Sequence, residues 1–127
     1  MLEDMGKQAK AAARILAVAG TDQKNQALAA VAAALRAHTE EILAANREDL
    51  ENGRQSGLGE ALLDRLALSE ARIAGMADGM LEVAALPDPI GVIESGSTRP
   101  NGMQVLKVRV PLGVIGIIFE ARPNVTA

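Results

Sequence analysis

The sequence has no cysteine, no tryptophan and no tyrosine. Without a thiol this chain can form no disulfide, no thiolate metal site and no cysteine nucleophile. Phe119 is its only large aromatic residue, which excludes a base-stacking platform for nucleic acid. His38 is the only histidine, so a multi-histidine metal centre is excluded too. Basic charge is not in excess: 13 Lys and Arg stand against 16 Asp and Glu, a net charge of −3. That balance leaves no electrostatic footprint for nucleic acid. No apolar run reaches the length that spans a bilayer. The start, Met1-Leu2-Glu3-Asp4, is acidic and is not followed by the apolar stretch of a secretory signal. These absences point to a cytoplasmic chain with no nucleic-acid or membrane partner.

What is present is a soluble, globular composition of 127 residues, 49% hydrophobic and 23% charged. A chain of this length can form one small domain that buries roughly two-thirds of its unfolded surface. Much of the apolar count is alanine, so the core is thin for the length.

The first 89 residues read as helical. Leu2, Met5, Ala9, Ala12, Ala13, Leu16 and Ala19 recur at helical spacing over residues 2–19. Gly20 suits the residue after a helix, and Thr21 or Asp22 caps the next one. There Leu28, Val31, Ala32 and Leu35 form a stripe. Thr39 before Glu40 and Glu41 reads as a fresh N-cap, although nothing between Arg36 and Thr39 forces a stop and a kink fits as well. His38, near a helix end, reads as a non-catalytic residue favoured by the helix dipole. A helix from Ile42 follows, and Gly53, Gly57 and Gly59 punctuate a loop. After a short turn of helix over Glu60–Leu63, Ser69 caps an amphipathic helix whose stripe is Ile73, Met76, Ala77, Met80 and Ala84. Leu86-Pro87-Asp88-Pro89 ends it, because a residue before proline is pushed out of the α region.

Past Pro89 the pattern changes. Val92–Thr98 is short and extended, Arg99-Pro100-Asn101-Gly102 is a turn, and Met103–Val110 alternates, so the pair reads as a β-hairpin cornered on Asn-Gly. Val105, Lys107 and Arg109 share one face, where the two cations read as solvated. The run from Val110 to Phe119 is nearly unbroken, rich in β-branched residues and bounded by Gly and Pro. It reads as a fully buried strand of a parallel sheet. Gly113 and Gly116 lie inside that pattern, so close backbone approach explains them better than a phosphate loop.

The run ends in the turn Glu120-Ala121-Arg122-Pro123-Asn124, at the carboxyl end of a strand, where open α/β sheets bind ligands. Arg122 suits a phosphate or carboxylate, and the Asn124 amide suits a developing oxyanion. The competing reading is an ordinary strand-to-helix turn with Arg122 solvated and Asn124 capping.

Several motifs carry a resemblance. Asn46-Arg47-Glu48-Asp49-Leu50, Leu63-Asp64-Arg65-Leu66, Arg99-Pro100-Asn101-Gly102 and above all Pro111 through Thr126 resemble, in order, the gamma-glutamyl phosphate reductase family of the aldehyde dehydrogenase superfamily. The Arg-Pro-Asn element is specific to this branch, since most of the superfamily carries Pro-Trp-Asn there. The resemblance implies an α/β fold, the amino-terminal part of an aldehyde dehydrogenase-like fold. In it, residues 1–89 would be a helical segment of the cofactor-binding domain. Residues 90–112 would be a hairpin arm that joins a homo-oligomer, and residues 113–127 the first strand and turn of a Rossmann-like sheet.

The reaction implied is NADPH-dependent reduction of L-glutamate 5-phosphate to the 5-semialdehyde in proline biosynthesis, through a thioester on a catalytic cysteine, with glutamate 5-kinase as a possible partner. The resemblance further implies that Asn124 belongs to the oxyanion hole. It makes Phe119, Glu120, Ala121 and Arg122 line the NADP crevice. The cysteine-bearing region has no counterpart here, so the chain alone is expected to be inactive and to be an amino-terminal fragment. The alternative from another class is a self-standing helical interaction module whose hairpin docks a partner.

Overall fold

The computed structural model describes residues 1–127, which divide into two compact units: residues 1–21 with 87–116, and residues 22–86 with 117–127. Both helix and sheet are present, as expected of an α/β chain.

The second unit is helical. It comprises α2 (Thr21–Ala37), α3 (Thr39–Gln55), α4 (Glu60–Leu66) and α5 (Glu70–Ala84), then a single 3₁₀ turn over Pro123–Val125. The junction of α2 and α3 is a one-residue break at His38 and not a continuous kinked helix: His38 N–H bonds back to Ala34 O, Ile42 N–H bonds to His38 O, and no backbone bond runs from residues 39–41 to α2. Thr39 does not cap α3. Its hydroxyl reaches backward and donates to Leu35 O at 3.2 Å and Arg36 O at 2.9 Å, closing the end of α2. A short hydroxyl side chain competes for backbone groups on either side of itself, and here the open carbonyls of α2 win. His38 is exposed and sits 3.0 Å from the Glu41 carboxylate.

Gly53 lies within α3 and is buried, not in a loop as its spacing predicts. A Cβ there would stand 2.9 Å from Leu58 Cδ1 and 3.2 Å from Leu63 Cδ2, so the bare backbone lets two leucines close on the helix. Gly57 ends the helix at φ +79°. Leu58 N–H bonds to Gly53 O and Gly57 N–H to Arg54 O, each at 3.0 Å, the two bonds of a Schellman stop. A Cβ at Gly57 meets open space, so Gly57→Ala adds only left-handed strain. It is expected to lower stability by about 1–2 kcal/mol in urea unfolding followed by circular dichroism, with no change in helix content at zero urea.

Ser69 caps α5 as expected, its Oγ accepting from Arg72 N–H at 3.2 Å. The stripe of α5 supplies Ile73, Ala77 and Met80 to the core, where Ala77 and Met80 pack with Ala32 and Leu35 of α2. Leu63 is the fifth buried apolar side chain, and Val31 of the expected α2 stripe is exposed. The thin core expected from composition is what forms.

The first unit holds α1 (Leu2–Leu16), which buries none of its residues, and a hairpin of β1 (Ile93–Thr98) and β2 (Gln104–Val108). The helix stops short of the expected Ala19. Gly20 is not left-handed, and Thr21 does not cap α2: it is the first residue of that helix and donates to Asp88 Oδ2 at 2.9 Å. The hairpin is antiparallel as expected, but its corner is a three-residue turn. Pro100 sets the first turn position, Gly102 takes φ +83°, and Asn101 stays out of the left-handed region, its Oδ1 accepting from Met103 N–H at 3.1 Å. Proline ahead of Asn-Gly favours a type I turn with a glycine bulge over the two-residue primed turn that Asn-Gly alone suggests.

A second bulge falls at Glu94, where two residues of β1 pass against one of β2. It aims the carboxylate at Lys107 Nζ, 2.6 Å away, and Arg109 Nε, 2.7 Å away, so these cations are paired and not simply solvated. Lys107, and then Arg109, hold the Glu94 carboxyl below its ordinary value of 4.5. A lowered folded-state value means the stabilisation is complete above 4.5 and is lost as pH falls through the folded value. Hairpin amide shifts are therefore expected to hold steady from neutral pH to about 4.5 and to drift toward the open state below it. Glu94→Gln should abolish that drift.

Residues 110–119 depart from the sequence reading. They join no ladder, since β1 and β2 pair only with each other. Their side chains are exposed, with Leu112 at 90% and Ile118 at 103% relative accessibility. A parallel strand is held by neighbours on both edges and covered on both faces, and no segment of this chain supplies either. Gly113 stands at φ +91°, and a Cβ at Gly113 or at Gly116 would meet only open space, so close packing does not explain these glycines here.

Candidate functional site

The apolar run ends in the turn Glu120–Asn124, which belongs to the helical unit. Ala121 is the one non-glycine residue with a positive φ, 49°. A backbone held there stores strain of order 1–3 kcal/mol and re-aims the chain sharply. Pro123 then opens the 3₁₀ turn, placing Asn124 at its centre. Phe119 is 45% exposed, Glu120, Arg122 and Asn124 are exposed, and Ala121 is partly buried.

Arg122, Pro123 and Asn124 line an open cleft of about 820 Å³. Asp64, Arg65 and Arg72 of the α4–α5 region also line it, as do Leu28, Met76 and Met80. The structure thus brings together two of the expected site residues, Arg122 and Asn124. Phe119, Glu120 and Ala121 do not line this cleft.

The junction is built by two side chains. Asn46, buried in α3, donates to Leu66 O at 2.9 Å and accepts from Leu68 N–H at 2.8 Å, satisfying the backbone where α4 ends. Arg72, in the first turn of α5, donates to the Asp64 and Ala67 carbonyls at 2.6 Å each, with Asp64 Oδ1 at 3.2 Å. A guanidinium fits this place because the last carbonyls of a helix are unpaired and carry partial negative charge. Asn46 and Asp64 are visible in the sequence only as parts of motifs. Asn46 does carry a signal, an amide on the apolar side of a helix, a position a polar group holds only when it is hydrogen-bonded. Arg72 carries none, since its partners lie five and eight residues back across a break in helix.

A helical unit bearing this cleft beside the end of an apolar β-type run, together with an antiparallel hairpin, defines the class: an α/β chain. No family model matches the sequence. Gamma-glutamyl phosphate reductases from Moorella thermoacetica and Syntrophomonas wolfei are 59% and 57% identical to it, over 98% and 99% of this chain and 30% of each relative. The crystal structure of gamma-glutamyl phosphate reductase from Thermotoga maritima matches with a TM-score of 0.93 at 42% identity, covering 98% of this chain and 30% of that one. The Saccharomyces cerevisiae enzyme gives 0.90 at 32% identity, over 97% and 31%. Over nearly its whole length the chain is similar to the amino-terminal part of gamma-glutamyl phosphate reductases. It spans about 30% of the length of the relatives it matches.

Proposed function

We propose that this chain supplies the oxyanion-binding turn and part of the substrate cleft of an enzyme that reduces L-glutamate 5-phosphate to the 5-semialdehyde in proline biosynthesis. The observation that carries this reading is the 59% identity over 98% of the chain, which includes the Glu120–Asn124 turn. A thiol attacks the acyl phosphate and phosphate leaves; the thioester then takes up hydride and expels the thiolate to give the aldehyde. The negative oxygen formed in each addition is met by the Asn124 amide N–H. With no cysteine of its own, this chain cannot form the thioester and is inactive alone.

The residues at the end of the run fit a nicotinamide dinucleotide phosphate. Arg122 presents an exposed guanidinium suited to a phosphate, and Phe119 a half-exposed ring suited to a flat apolar surface. NADPH, when bound, supplies the hydride; Phe119, Glu120, Ala121 and Arg122 border its crevice. The β1–β2 hairpin, exposed along its whole length, serves as an arm toward a second subunit. Glutamate 5-kinase, which makes the labile acyl phosphate, is a fitting partner in the cytoplasm.

The test joins this chain to the remaining part of the Moorella thermoacetica relative and follows NADPH oxidation with glutamyl phosphate. Activity dependent on both parts is expected. A joined, folded protein without such activity overturns the assignment.

A further inference from the structure

Arg65 and Arg122 come from elements more than fifty residues apart, yet both line the same cleft. Neither guanidinium has a hydrogen bond or ion pair within the chain, and both are exposed or nearly so. The third guanidinium, Arg72, is already spent on Asp64 and two carbonyls. Asp64 carries the only carboxylate side chain on the cleft wall, and Arg72 neutralises it. The cleft therefore holds two unpaired guanidinium charges in a chain whose net charge is −3.

Gly75 and Gly79, one turn apart on α5, both line the cleft, and a Cβ at either would meet nothing within 4 Å. Glycine inside a helix costs roughly 0.5–1 kcal/mol relative to alanine. No contact within this chain repays that cost, and the cleft is open beside both glycines.

We infer that Arg65 acts with Arg122 as a pair of anion-recognition residues, binding a phosphate or carboxylate group of a small molecule in this cleft, beside the Asn124 amide. Arginine is suited to this because its planar fork matches either oxyanion in two parallel hydrogen bonds. The inference rests on the reductase reading only for the identity of the natural ligand. Within that reading Arg65 shares with Arg122 the phosphate-binding role proposed above, in the cleft that Asn124 also lines.

The experiment titrates inorganic phosphate, and separately glutamate, into the 127-residue chain while observing the arginine Nε–H signals by NMR. The Arg65 and Arg122 signals are expected to shift together and saturably with at least one anion. The phosphate and glutamate arms distinguish which oxyanion the site prefers. Arg65→Gln should weaken binding about tenfold with unchanged helix content, Arg65→Lys should fall between, and Arg47→Gln, on the surface of α3, should change nothing. No saturable shift, a shift of Arg122 alone, or an affinity indifferent to Arg65→Gln overturns the inference. None of these results bears on the reductase assay of the joined protein. Absence of reductase activity there leaves the anion site standing.

Discussion

Asn124→Ala in the joined protein is expected to lower kcat by about 10²–10³-fold, the usual cost of removing one oxyanion-hole donor. Substrate KM should move far less, because the amide strengthens its bond only as negative charge develops on the carbonyl oxygen. The geometry supports a loss of donor without loss of fold. Asn124 is exposed, sits at the centre of a three-residue turn, and its removal leaves that turn's backbone bonds, Val125 N–H to Arg122 O and Thr126 N–H to Pro123 O, in place. Asn124→Asp is a useful companion, since a carboxylate has no N–H to donate and repels the oxyanion. Its kcat should fall at least as far. Unchanged kcat in Asn124→Ala would assign the residue to capping, the other role its position in the turn allows.

The second large effect concerns stability. Ile73 is fully buried, and it is the largest side chain in the structure that is. Ile73→Ala should cost about 2–5 kcal/mol, combining lost transfer energy with the cavity left behind. That is a substantial part of the roughly 5–15 kcal/mol that holds a typical domain folded. With only five apolar side chains buried in the whole chain, the surroundings have little else to close over the gap. Urea unfolding should show the midpoint falling sharply at an unchanged slope. Loss of under about 1 kcal/mol would mean that the buried face of α5 contributes little to this fold.

Where sequence pattern and structure agree, a single local rule decides. The stripe of α5 and its Ser69 cap are legible because helical period and capping chemistry act within one element. The hairpin is legible from alternation and a turn signal. Where they differ, two rules compete at one residue. Thr39 has the chemistry of a cap for α3 and the reach to close α2, and it does the second. Pro100 overrides the turn suggested by Asn101-Gly102. Gly53 looks like punctuation and is instead a contact surface for Leu58 and Leu63. Arg122 and Asn124 are legible as candidates from their place after an apolar run, but Arg65 is not. Its membership of the same cleft depends on how α4, α5 and the final turn meet, which no periodicity encodes.

The run from Val110 to Phe119 is the clearest case. Its composition calls for a buried strand, and in this chain it is uncovered. Ile115, Ile117 and Ile118 each leave most of their surface in water. At about 1.5–3 kcal/mol per large side chain, burying this segment is worth as much as a small domain's net stability. Sequence and structure are reconciled if the neighbours lie in the rest of the relatives' length, of which this chain spans 30%.

Asn124 follows this segment directly in the chain, so the state of residues 110–119 in the joined protein is the most direct measurement. Amide hydrogen exchange should be fast at Val114–Ile118 in the 127-residue chain and slowed by several orders of magnitude once the remaining part is joined, as for a central strand. Exchange as fast in an active joined protein as in the isolated chain would contradict the strand, and with it the placement of the oxyanion-binding turn.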